Sequence, residues 1–110
     1  MDSQRHFETG AVRDASEGKG DFTLLPWHGI WEVAKHCENG AKHYGKWNVN
    51  KGIPLSSLLD SAARHLTQVM EGCDNEDHLR AAAWNLLWAL EQRTTHPELN
   101  DMPWADSNIK

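Results

Sequence analysis

With 110 residues, 39% of them hydrophobic and 25% charged, the chain has the make-up of one globular domain rather than two domains or a disordered tail. A formal net charge of −5 argues against a protein that coats duplex nucleic acid, which needs a broad basic face. Two cysteines make no disulfide framework, no apolar run approaches the roughly 20 residues of a membrane span, and Met1-Asp2-Ser3-Gln4-Arg5 has no signal-peptide core. The expected place is therefore the cytoplasm, with no membrane partner.

Residues 1–25 are polar and interrupted by Gly10, Gly18 and Gly20, with no helical or alternating period, so they read as an extended arm or loop. A first helix is expected from Pro26, since a proline at the first helical position loses no hydrogen bond. Trp27, Ile30, Val33, Ala34, Cys37 and Ala41 share one face, and the helix can stop at Asn39-Gly40 or at Tyr44-Gly45. Trp47 to Ile53 is a loop. Pro54 opens a second helix whose Leu55, Leu58, Leu59, Ala62, Leu66, Val69 and Met70 recur at three- and four-residue steps, and Gly72 closes it.

The third helix is expected after the turn Cys73-Asp74-Asn75, with Asp74 as its N-cap and Glu76 and Asp77 in the first turn. Leu79, Ala82, Ala83, Leu86, Leu87 and Leu90 form its expected core stripe, and Ala81, Trp84 and Trp88 lie roughly opposite. A helix apolar on two sides is central to a bundle or shared between subunits, and three helices cannot easily surround one of their own. The fold class is thus a small all-α three-helix domain with its core over 26–96 and an irregular tail over 97–110. It is expected to assemble as a homo-oligomer through the Trp84 and Trp88 face.

Positive charge is local. Between Asn39 and Leu59 stand Lys42, Lys46 and Lys51, with His43 and no carboxylate, a pattern that suits a small anion better than a polyanion. Asp60 and Arg64 are spaced for an exposed ion pair, and His65 borders the second helix's apolar stripe. His78 and Asn85, seven apart, share a ridge with the small Ala82 and Ala89; a polar pair on so apolar a helix requires a partner, either another helix or the edge of a ligand.

Taken in order, several short blocks resemble one family. Thr9-Gly10-Ala11-Val12-Arg13-Asp14, Gly18-Lys19-Gly20-Asp21 and Leu25-Pro26 are similar to the start of a phage family, the N-terminal domain of dATP/dGTP diphosphohydrolases. Later blocks agree: Gly40-Ala41-Lys42 with Tyr44-Gly45; Asn48 with Lys51-Gly52 and Pro54; Asp60-Ser61 with Arg64-His65; Gly72 with Glu76-Asp77-His78-Leu79; and Ala83-Trp84-Asn85. The resemblance spans about residues 9–104. Where the family often reads Arg-Asn-Trp after Tyr-Gly, this chain reads Trp47-Asn48-Val49, so the arginine is missing and the aromatic stands two places earlier. The resemblance implies purine nucleotide recognition in a phage-encoded protein inside an infected bacterial cell; hydrolysis does not follow from it, because such a domain can accompany a separate catalytic portion.

Metal-dependent all-α pyrophosphohydrolases place paired carboxylates three residues apart on facing helices, where they converge on Mg²⁺. No helix interior here offers that spacing. Glu71, Glu76 and Asp77 are the catalytic candidates if the protein is an enzyme, with Mg²⁺ as cofactor; otherwise no cofactor and no metal ligands are expected. His36-Cys37 and His43 are near one another, but no CxxC exists and Cys37, on the core stripe of the first helix, reads as a buried free cysteine. An HD-type site fails because His78 follows Asp77.

The leading expectation is capture without cleavage: an oligomeric sponge for a purine nucleotide, cyclic dinucleotides included, of the sort that signals in bacterial antiviral defence. Arg13, Lys19, Lys42, Lys46, Lys51 and Arg64 are the phosphate candidates. Tyr44 and Trp47, with Trp84, are the stacking candidates, and Asn48, His65, His78 and Asn85 complete the expected ligand-binding set. A third class, an adaptor or inhibitor of a host protein, would use the Trp84 and Trp88 face for a foreign partner.

Overall fold

Proline and glycine set the helix limits where the sequence places them. The computed structural model describes residues 4–105; residues 1–3 of the expected arm and 106–110 of the expected tail lie outside the described residues. Three helices dominate: α1 (Trp27–Tyr44), α2 (Leu55–Met70) and α3 (His78–Thr95). Of the two candidate stops for α1 the second operates. Gly40 stays inside the helix, while Gly45 takes a φ of 85° and turns its N–H back to Ala41 O at 2.9 Å.

The arm is not a featureless loop. β1 (Gln4–His6) pairs antiparallel with β2 (Val12–Asp14), Arg5 opposite Arg13, and a short 3-10 turn follows over Phe22–Leu24. All six strand residues are exposed, which is why no apolar/polar alternation marked them. The hairpin holds through its ladder, closed by Gly10 N–H to Phe7 O at 2.9 Å.

The start of α3 also differs from expectation. Asp77, not Asp74, is the N-cap: its Oδ1 accepts the Arg80 N–H at 3.0 Å, so Glu76 precedes the helix instead of lying in its first turn. The tail is anchored by a carboxylate. Asp101 accepts the Ser56 N–H at 2.8 Å and the Ser56 Oγ–H at 2.5 Å at the amino end of α2, where a negative charge meets free N–H groups. These bonds hold the Asp101 carboxyl below the usual range. Met102 is half-buried and Trp104 is exposed.

The core lies between α2 and α3, and it is small. Leu58 and Ala62 of α2 face Ala81 and Ala82 of α3, and these four are the buried hydrophobic residues among those described. Of the expected core stripe of α3, Ala82 is buried but the leucines are not. Leu79, Leu86, Leu87 and Leu90 are 44–63% exposed, whereas Ala81 is buried and Trp84 and Trp88 are half-buried. The reason is polar. His78, Asn85 and Gln92, at seven-residue intervals, are all buried; His78 and Gln92 reach His65 and Ile53, partners that only the inward face supplies, while Asn85 bonds back to Ala81 O. The alanines beside them let α2 approach. α1 leans on α3 from the tryptophan side, with His36 against Trp84 at 5.4 Å between ring centroids and Trp88 6.3 Å beyond.

The described chain is open in shape. Its Cα radius of gyration is 18.6 Å, against about 13 Å for a compact domain of this length. No described helix is long and apolar enough to cross a membrane.

Candidate functional site

The α2–α3 corner gathers the protein's most concentrated polar chemistry. His65 comes from the carboxyl half of α2, Glu76 from the connecting turn, and His78 is the first residue of α3. His65 Nδ1 and His78 Nδ1 are 2.9 Å apart, and Glu76 Oε1 lies 3.4 Å from each. His78 is only 3% exposed. Its Nε2–H donates to Asn75 Oδ1 at 2.8 Å, which fixes the ring and leaves Nδ1 directed at His65 and Glu76. The two rings are tilted by 36° with centroids 5.2 Å apart.

A second polar layer connects this corner to α1. Arg80 donates to Glu32 Oε1 at 3.2 Å and lies 3.8 Å from Asp77 Oδ2, so its guanidinium is shared by a carboxylate from α1 and the cap of its own helix. Glu32 also accepts from Lys35 at 3.0 Å, and these bonds hold its carboxyl below the usual value. His36, packed on Trp84, has its imidazole pushed toward the neutral form, first by burial and then by the charges of Arg80 and His65.

The expected ligand-binding residues divide into five groups. Arg13 is on β2 and Lys19 in the following turn, both exposed and on the arm. Lys42 and Tyr44 end α1; Lys46 and Trp47 follow in the loop; Asn48 is half-buried and leads a 3-10 turn over Val49–Lys51. Tyr44 and Trp47 of this run are each 74% exposed. Trp47 takes a φ of 69°, the only positive φ outside glycine among the described residues, and that costs an L side chain about 1 kcal/mol or more. Arg64 pairs with Asp60 and with Ser61 Oγ on its own helix, as the four-residue spacing implies. His65 and His78 meet. Asn85, by contrast, turns its amide to Ala81 O at 2.9 Å in its own helix.

Of the catalytic candidates, Glu76 faces the two histidines, Asp77 is occupied as cap and Arg80 partner, and Glu71 caps the far end of α2. Glu71 and Asp77 are not part of the three-residue ligand group. Two hollows are lined by none of the expected cations: one within the arm, by Arg5, Ser16, Glu17 and Phe22, the other beside α2 and α3, by Leu59, Leu86, Leu90 and His96.

Sequence reasoning passed over Arg80, Glu32, Asn75 and Gln92. Gln92 was within reach: extending the His78–Asn85 ridge by another seven residues lands on it. It clamps the loop before α2, accepting the Ile53 N–H at 2.8 Å and donating to Ile53 O at 2.6 Å.

No curated protein and no solved structure matches the chain. The family described as dATP/dGTP diphosphohydrolase, N-terminal, matches residues 9–102. That span takes in the hairpin's second strand, all three helices and the histidine–glutamate corner, and the chain belongs to this family.

Proposed function

We propose that the protein captures a purine nucleotide and holds it intact. The observation that carries this reading is the run from Lys42 to Lys51, where the sequence sets three lysines and two exposed aromatic rings close along the chain without a carboxylate, one ring on a strained backbone. Exposed lysines neutralise phosphate, outweighing the partial negative charge at the carboxyl end of α1. Tyr44 and Trp47 offer faces for a base. Membership of a family named for dATP and dGTP supports the purine, and Arg13 and Lys19 on the projecting arm add charge that a second subunit can bring to the site.

Self-association belongs to the same reading. Leu79, Leu86 and Leu90 with Ala83 form an exposed seam at three- and four-residue spacing, next to Leu87, on a chain with four buried hydrophobic residues among those described. A second copy covers this seam better than the Trp84 and Trp88 face, which α1 already occupies. Among purine ligands, cyclic di- or oligonucleotide signals of host antiviral defence suit a phage-encoded oligomeric sponge with sites between subunits.

The alternative, a Mg²⁺-dependent pyrophosphohydrolase working through Glu71, Glu76 and Asp77, has less support. Asp77 is engaged as a cap, and Glu76 sits among nitrogen donors that the hard Mg²⁺ ion disfavours. Calorimetry with dATP, dGTP and cyclic dinucleotides, followed by recovery of each ligand from denatured complex, tests the proposal. Intact ligand is expected, with affinity at least about tenfold weaker in a Lys46→Ala/Trp47→Ala variant. Steady pyrophosphate release from dATP or dGTP with Mg²⁺, or no binding to any nucleotide, overturns it.

A further inference from the structure

We propose that His65 Nδ1, His78 Nδ1 and the Glu76 carboxylate form a binding site for a divalent transition ion of the Zn²⁺ kind, with one coordination position left open. Two imidazole nitrogens and one carboxylate oxygen are a donor set for borderline ions. Ligand atoms on a tetrahedral ion at about 2.0–2.1 Å stand roughly 3.3 Å from one another. Both Glu76 Oε1 to Nδ1 distances are 3.4 Å, and the Nδ1–Nδ1 distance of 2.9 Å has to open by only about 0.4 Å.

The surroundings match what a metal-binding histidine requires. Asn75 Oδ1 accepts the Nε2–H of His78, so the lone pair of Nδ1 is the one offered to the ion; an outer partner of this type sets tautomer and ring orientation. His78 and His65 project from helices held in register by Leu58, Ala62, Ala81 and Ala82, so two of the three donors rest on rigid elements. The positive charge of Arg80 is offset by Glu32 and Asp77.

In the metal-free protein one hydrogen lies between the two Nδ1 atoms; for a pair of neutral rings the ion displaces it from His65 Nδ1 and that ring carries its hydrogen at Nε2 instead, with no net loss of a proton. The Glu76 side chain is 55% exposed, so the cluster opens to water on that side, and a water or an anionic oxygen completes the tetrahedron. This inference does not rest on nucleotide capture: the ion site can be present in a protein that holds no nucleotide.

The test uses the full chain, stripped with chelator and dialysed against Zn²⁺, with Co²⁺ as the absorbing probe. Cys37→Ser/Cys73→Ser serves as background, since both thiols are exposed and a thiolate is itself a metal ligand. One Zn²⁺ per chain is expected. His65→Ala and Glu76→Gln, the latter at an exposed position that leaves the core intact, each lower affinity at least tenfold with an unchanged circular dichroism spectrum. Asn75→Ala lowers it by roughly 10–100-fold. Nitrogen-15 shifts of the imidazoles should show Nδ1 as the coordinated atom in both rings. Loading far below one ion per chain, or loading that the His65 and Glu76 variants leave unchanged, overturns the proposal and leaves the cluster a hydrogen-bonded packing feature.

Discussion

Replacing Gln92 with leucine tests how the loop carrying the expected nucleotide contacts is tied to the helical hairpin. Leucine is close to glutamine in volume, so the space is kept and only the amide is lost. Gln92 is 3% exposed and satisfies both backbone groups of Ile53, at 2.8 and 2.6 Å. Ile53 precedes Pro54 and is therefore held extended, unable to turn its N–H and C=O toward another partner. Each bond is worth about 1 kcal/mol net, and a buried group left without a partner costs about 1–3 kcal/mol. Ile53 is only half-buried, and water recovers part of that loss, so the expected destabilisation is about 2–3 kcal/mol. In a domain of this size that lowers Tm by roughly 8–20 °C. Gln92→Glu keeps an acceptor for the Ile53 N–H but sets a carboxylate against the Ile53 carbonyl, and it should melt no higher than the leucine variant. Thermal melts followed by circular dichroism check both. If both variants melt within about 3 °C of the parent, the clamp does not hold this loop and the reasoning is wrong.

The two other expectations concern protons and self-association. His96 donates from Nε2 to Asn50 O at 2.9 Å and from Nδ1 to Glu98 at 3.2 Å; the backbone acceptor first and the carboxylate second raise its pKa above the ordinary value near 6.5, while burial lowers that of His36. A proton titration by nuclear magnetic resonance should find the two midpoints on opposite sides of that value. The support from His96 is complete below it and lost as pH rises through the elevated midpoint. The neutral His36 contributes fully above it and loses that contribution as pH falls through the depressed one. Midpoints that coincide would remove both local accounts. For the leucine seam, Leu86→Asp with Leu90→Asp places two charges on α3 at positions already half exposed, so the single chain should keep its helix content while light scattering reports a fall to monomer mass. A wild-type chain that is already monomeric at micromolar concentration sinks the seam as a subunit contact.

Helix existence and limits were legible because their causes are local. Pro26, Pro54, Gly45 and Gly72 act through their own backbone torsions, and the leucine and alanine spacing of α2 presents one apolar face whatever it packs against. The exchange of Asp74 for Asp77 as cap is a shift of three residues within a turn rich in carboxylates, where several side chains compete for the same free N–H groups. The hairpin was hidden because exposed strands need no alternation.

The sequence alone determined three helices, a carboxylate-free basic loop with aromatic rings, and enough block order to imply the family. Tertiary structure alone decided which side of α3 faces inward. Both sides are apolar, so periodicity cannot choose between them; the choice falls to His78 and Gln92, whose polar atoms reach His65 and Ile53, partners that exist on one side only. The same long-range choice brings His65 within 2.9 Å of His78 across thirteen residues of chain, a proximity that no spacing along the sequence announces, because it depends on the angle at which two helices meet across a few alanines.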